Sequence, residues 1–290
     1  MQIQTLFQHK TVFSFEVFPP KKNMPVEVVY ETLEQLKDLH PDFISVTLGA
    51  GGSGNGENTL AVARRLREYG MTPMAHLPCI HYTKEQIDDL LAQFRENGIE
   101  NILALRGDRV EGLAPAEDFV YASDLIAYIR EKGGFDIAGA CYPECHQEAP
   151  NMDTDIANLK KKVDAGASHL ISQLFFDNDV FYDFRYRAAR SGIHVPVEAG
   201  IMPVTNRKQI ERMVTMCGAS LPRKFTKMVQ RYENQPEALR DAGIAYAIDQ
   251  IVDLITDGVD GIHLYTMNNP YVARKISEAV SGILKAAPRC

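Results

Sequence analysis

Several features that would decide a function class outright are missing from this sequence. Positive charge is not in surplus: 31 Lys and Arg stand against 38 Asp and Glu, a net charge of −7. A nucleic-acid backbone, which is bound through clustered cations, is therefore not expected as a partner. No apolar run approaches the roughly 20 residues needed to span a bilayer. The opening residues MQIQTLFQHK lack the apolar core of a signal peptide. A soluble, cytoplasmic protein with no membrane partner is the expectation. Cysteine is sparse and odd in number, with Cys79, Cys141, Cys145, Cys217 and Cys290 scattered along the chain. A chain of this length builds its own core, so a disulfide framework is not expected. Cys141 and Cys145 have three residues between them before His146, where haem attachment needs two. His76, Cys79 and His81 lie on a segment whose alternation sends neighbours to opposite faces, so no metal site is expected. No Ser/Gly-rich linker interrupts the chain, which favours one domain over residues 1–290.

What the chain does have is ordinary globular composition, 45% hydrophobic and 24% charged over 290 residues, carried by a strong rhythm. Short apolar or β-branched runs occupy Val12 to Phe18, Asp42 to Leu48, Thr72 to Leu77, Asn101 to Leu105, Asp136 to Tyr142, His169 to Phe175, Val195 to Ile201 and Gly261 to Tyr265. Each reads as a strand. Between them lie amphipathic stretches such as Pro25 to Leu39, where Val26, Tyr30, Leu33 and Leu36 recur on one stripe. Gly70, Gly98, Gly166 and Gly192 stand where helices should end. About eight strand–helix units joined by right-handed crossovers close into a (β/α)8 barrel. An open doubly wound sheet is the alternative. The long stretch from Thr205 to Gly258 should hold an extra helix or two, broken at Pro222 and Pro236.

In such a barrel the chemistry gathers at the C-terminal ends of the strands. The runs carry polar residues there: Glu16, Thr47, His76, Arg106 with Asp108, Tyr142 with His146 just beyond, Gln173 and Tyr265. Polar groups converging from so many strands on one mouth imply a ligand site. The cluster Gly49 to Gly54 matches G-x-G-x-x-G after a strand. The next strand nevertheless ends in His76, where a ribose-binding acid would be wanted, so a βα loop that lets backbone approach a ligand is the better reading. Asp155, Asn158, Lys161 and Lys162 recur at helical spacing. They form either a grip for pyrophosphate and ribose or a solvated basic patch.

With these residues in view, FSFEVFPPK, SVTLGAGGS, LRGD, YASDL, YPECHQEA, LKKKVDAGASHLISQLFFD, GIMPV and GIHLYTMN, in this order from Phe13 to Asn268, resemble methylenetetrahydrofolate reductase. The resemblance implies a barrel enzyme with non-covalent FAD. It would reduce methylenetetrahydrofolate to methyltetrahydrofolate with NADH or NADPH, NADH being weakly preferred. By the matching motifs, the flavin site would be lined by Thr47, Leu48, Ala50, His76, Arg106, Gly107, Asp108, Ala122, Tyr142, His146, Ala149, Asp155, Asn158, Lys161 and Lys162. Gln173, Gln209 and Tyr265 would contact folate or nicotinamide, which take turns on one flavin face.

Glu16 would be the acid. Opening the five-membered folate ring to an iminium needs a proton near the departing nitrogen, and a carboxylic acid walled by flavin and apolar side chains such as Phe15 and Phe18 can hold one. Asp108 would stabilise the cationic iminium by its charge. The sequence departs from the family at Leu48, where an aromatic is common, and in Ser53 to Thr59, which lacks the basic residues often found there. It departs again at Asn269-Pro270, where an arginine often fixes the folate tail. The regulatory domain of longer relatives, which binds S-adenosylmethionine, is not expected here. Self-association into a homo-oligomer is left open. Two other readings stand beside this one: a catalytically silent flavin- or folate-binding barrel, and a metal-dependent aldolase-like barrel.

Overall fold

The computed structural model describes residues 1–20, 24–48, 56–109, 112–206, 208–210, 213 and 217–287. Its eight described strands are β1 (Val12–Val17), β2 (Ile44–Val46), β3 (Pro73–Pro78), β4 (Asn101–Leu105), β5 (Asp136–Cys141), β6 (His169–Ser172), β7 (Val197–Ile201) and β8 (Gly261–Tyr265). Each pairs in parallel with the next, and β8 pairs with β1 from Val12↔Gly261 to Glu16↔Tyr265. That last ladder closes the sheet and rules out the open alternative.

Helices α1 (Glu27–Lys37), α2 (Gly56–Glu68), α3 (Lys84–Glu96), α4 (Ala122–Lys132), α5 (Met152–Ala165) and α6 (Asn178–Arg190) follow the first six strands in turn. Before β8 come α7 (Arg223–Tyr232) and α8 (Pro236–Thr256), and α9 (Pro270–Ala286) closes the ring. Pro222 caps α7 and Pro236 opens α8, as a residue without a backbone N–H should. Gly70, Gly98, Gly166 and Gly192 all take positive φ at helix ends. Thr83 and Gln86 form a reciprocal capping box on α3.

Strand alternation separates two cores. On β1, Phe13, Phe15 and Val17 face outward and pack with helix residues such as Leu33, Leu36 and Ile276. Val12 faces inward with Phe43, Met74, Leu103, Ala138 and Ile171, a smaller core filling the bottom of the barrel. A 3₁₀ turn, Ile3–Gln8, plugs that end with Ile3 and Phe7. Its backbone N–H groups satisfy otherwise buried side chains, Ile3 N donating to Asn101 Oδ1 at 3.0 Å and Gln4 N to Asp136 Oδ2 at 2.7 Å. The bottom is thus closed by apolar groups and these paired side chains, with His169 against the Phe7 ring at 5.1 Å. The upper interior is left to Glu16, His76, His263 and Tyr265.

Candidate active site

Glu16 ends the inward face of β1 and is buried. Its ladder partners are Ser45 on β2 and Tyr265 on β8. Glu16 Oε2 lies 3.4 Å from His76 Nε2 and 3.5 Å from His263 Nε2. Both are close contacts, and His76 Nε2 has no hydrogen-bond partner. Burial, the largest cause, lowers His76 to about 4 against the pull of Glu16, so the imidazole is neutral at pH 7. Phe15, expected to wall this acid, points the other way into the helix layer, because neighbours on a strand face opposite sides. Imidazoles, Ser45 and Tyr265 surround Glu16 instead.

Tyr265 crosses the chamber. Its hydroxyl donates to Ser172 O at 2.8 Å, and its ring stands edge-on to His263 at 5.4 Å. Burial, with Glu16 next in effect, holds its phenol well above the usual range. Gly200 makes this possible: a Cβ there would overlap Ser172 O and stand 2.9 Å from the Tyr265 ring. Tyr265 also lines an open cleft of about 390 Å³ with Pro203, Thr205, Gln209, Met213 and Asn269. Gln209 Oε1 accepts from Thr205 N at 3.2 Å. Gln173, at the end of β6, is half-buried, its Oε1 accepting from Leu174 N at 2.9 Å. A second cleft of about 400 Å³, bounded by Tyr182, Arg185, His194 and Asp257, opens at the other end of β7.

The remaining expected residues gather above β2 to β5. Thr47 is half-buried and Leu48 buried; Ala50 lies outside the described residues. Arg106 leaves β4 to meet Glu148 through two hydrogen bonds of 2.5 and 2.7 Å. Gly107 takes φ +87°, and a Cβ would stand 2.9 Å from Pro78 Cβ. Asp108 is exposed, its carbonyl 3.1 Å from His81 Nε2. Ala122 is the first residue of α4. Tyr142 meets His146 edge-on at 4.6 Å, and Lys162 Nζ sits 5.7 Å over the Tyr142 ring. Burial raises the Tyr142 phenol and lowers His146 and Lys162. Asp155 accepts from His146 N at 2.9 Å, Lys162 donates to Ala140 O at 2.8 Å, and Ala149 N donates to His146 O.

The expected stripe on α5 therefore divides. Asp155 and Lys162 turn in toward the mouth, whereas Asn158 and Lys161 are exposed and bond each other at 3.0 Å. Asn269 and Pro270 start α9, Asn269 Oδ1 accepting from Val272 N. The sequence reading missed Ser14, Ser45, His263, Glu148 and Glu198. Ser14 and His263 stand two residues before Glu16 and Tyr265, so strand alternation could have found them.

The family model described as methylenetetrahydrofolate reductase matches residues 2–281. The chain belongs to the methylenetetrahydrofolate reductase family. The 5,10-methylenetetrahydrofolate reductase of Pectobacterium carotovorum subsp. carotovorum is 39% identical over 257 residues, 88% of this chain and 85% of that one. Methylenetetrahydrofolate reductase (NADH) 1 of Arabidopsis thaliana is 38% identical over 277 residues, 90% of this chain and 47% of that one. The chain thus spans about half of the plant member's length. A Clostridium thermocellum protein described as binding two copies of 5-methyl-5,6,7,8-tetrahydrofolic acid superposes with a TM-score of 0.69, at 15% identity and 98% coverage of both chains. At that identity the likeness is one of fold. Among the described residues of this methylenetetrahydrofolate reductase family member, no helix is long and apolar enough to cross a membrane. Nor, among them, is any group of three or more His, Cys, Asp or Glu placed to hold a metal ion.

Proposed function

We propose that residues 1–290 act as one catalytic domain that reduces 5,10-methylenetetrahydrofolate to 5-methyltetrahydrofolate, with NADH or NADPH as reductant and FAD as a non-covalent cofactor, supplying methyl groups for methionine synthesis in the cytoplasm. The observation that carries this reading is a buried carboxyl, Glu16, held between imidazoles and paired in register with Tyr265, which itself lines the open cleft with Gln209, in a chain of this family. The NADH in the plant relative's name supports NADH over NADPH.

The residues present fit a flavin dinucleotide. Lys162 and Arg106 bring cations to the mouth, suited to phosphates. Gly107 lets backbone approach closely, and Tyr142 with His146 offers an aromatic wall. Thr47, Leu48, Ala50, His76, Asp108, Ala122, Ala149, Asp155, Asn158 and Lys161 complete the proposed lining. Bound there, FAD would supply hydride chemistry between nicotinamide and folate. Gln173, Gln209 and Tyr265 would orient the two substrates in turn, so that binding is exclusive and the kinetics ping-pong.

Glu16 would deliver the proton that opens the folate ring. That requires the carboxylic acid, and a neutral His76 at 3.4 Å does not lock Glu16 into an ion pair. Asp108 would stabilise the cationic iminium through its charge. The test is an anaerobic titration of the purified protein. Flavin absorption should bleach with NADH and return with methylenetetrahydrofolate, yielding one equivalent of 5-methyltetrahydrofolate. A yellow protein that NADH cannot bleach would support the silent barrel instead, and a colourless, metal-bearing protein the aldolase-like one.

A further inference from the structure

Below Glu16 lies a layer of buried polar side chains for which the proposed reaction has no use. Glu198 on β7 is fully buried. Its Oε2 is 2.7 Å from Ser14 Oγ on β1, and Ser14 Oγ is 2.7 Å from His263 Nδ1 on β8. The other nitrogen of that ring, Nε2, faces Ser45 Oγ at 3.3 Å and Glu16 Oε2 at 3.5 Å. Room for the carboxyl comes from Gly261, its ladder partner, where a Cβ would stand 2.8 Å from Glu198 Cγ. Glu198 Oε1 has no hydrogen-bond partner. An apolar residue would fill this wall without the cost of burying a carboxyl, so packing alone does not account for Glu198.

We propose that Glu198 is a positioning residue for Glu16: through Ser14 it sets which nitrogen of His263 carries the proton, and so whether His263 offers Glu16 a donor or an acceptor. The proposal rests on Glu16 being the acid. Ser14 has a single hydroxyl proton; Ile262 O lies farther away at 3.4 Å, against 2.7 Å for both Glu198 Oε2 and His263 Nδ1, so along the two short bonds the chain has two polarities. With Glu198 protonated, its O–H donates to Ser14, Ser14 donates to Nδ1, and His263 holds its proton on Nε2, facing Glu16. With Glu198 ionised, it accepts from Ser14, Ser14 accepts from Nδ1–H, and the bare Nε2 faces Glu16 as an acceptor. Burial, with a smaller push from Asp42 and against the Ser14 hydrogen bond, raises Glu198 to about 8. The reversal therefore falls at about pH 8. Of the other groups facing this chain, His76, His169 and Tyr265 are held neutral by burial; Asp42 is the carboxylate that acts on Glu198, and Asp136 acts on His169.

Nitrogen-15 NMR of the full chain with labelled histidine reads the tautomer directly, with His263→Asn assigning the signals. In the wild type the proton should move from Nε2 to Nδ1 as pH rises through about 8. In Glu198→Gln, whose amide does not titrate, the tautomer should be independent of pH. The pH profile of folate reduction should show a break near the same pH in the wild type and none in Glu198→Gln. A wild-type tautomer that stays constant across this range overturns the proposal without recourse to any variant, and so does an identical switch in Glu198→Gln. If Glu16→Gln left folate reduction intact, the acid assignment would fail while the histidine result stood, so the two failures are distinguishable.

Discussion

Lys161 and Lys162 are adjacent in sequence and different in structure. Lys162 is half-buried and reaches Ala140 O with its Nζ over the Tyr142 ring, whereas Lys161 bonds Asn158 at the surface. Removing a charge-assisted phosphate contact costs about 1.5–3 kcal/mol. Lys162→Ala should therefore weaken FAD binding roughly tenfold or more, and Lys161→Ala by less than about twofold. Titrating apoprotein with FAD over a salt series checks both, and equal losses would reject the division of α5. At this scale the sequence revealed Glu16, His76 and Tyr265, because a polar residue at the end of an apolar run is conspicuous. It concealed their neighbours. Ser14 and His263 are 249 residues apart and meet only because the barrel closes. Phe15, next to Glu16 in sequence, lies on the opposite side of the strand in the helix-facing core.

At the scale of elements, all eight strands lie within or near their apolar runs, β4 and β8 with the same ends. Turn and cap residues mark boundaries through local chemistry alone, which is why they are legible. Strand length is less so: β2 is only Ile44–Val46, while Asp42 before it stays tied to β1, its N donating to Phe13 O at 2.8 Å and its Oδ2 accepting from Phe13 N at 2.9 Å. The loop after β4 depends on Gly107 for both its positive φ and the missing Cβ. Gly133 has a similar φ of +67° but open space around it. Gly133→Ala, at φ 67° and ψ 173°, should cost about 1–3 kcal/mol of backbone strain. Gly107→Ala should add about 1–3 kcal/mol of overpacking and displace Arg106 and Asp108, lowering FAD affinity as well. Urea denaturation of both variants, with FAD titration, separates strain from crowding; equal costs and intact FAD binding would refute the role given to Gly107.

For the whole molecule, three buried groups make stability depend on pH with opposite signs. His76, lowered to about 4, and His169, also lowered by burial, stay neutral in the fold while the unfolded chain takes up protons below 6.5, so stability falls as pH drops through that window. Glu198, raised from 4.5 to about 8, keeps its proton when folded. Its contribution is complete below 4.5 and is lost as pH rises toward 8. Together the three place the stability maximum near about pH 6.5, and Glu198→Gln should flatten the decline on the alkaline side in urea titrations. The central claim, that Glu16 is the acid of folate reduction, is tested most directly by anaerobic stopped-flow on Glu16→Gln, which keeps size and hydrogen bonding but has no acidic proton. Flavin reduction by NADH should stay within about tenfold of wild type, while reoxidation by methylenetetrahydrofolate should fall by roughly 10² to 10⁴. Reoxidation at the wild-type rate would contradict the account and move the proton to Asp108 or to a bound water.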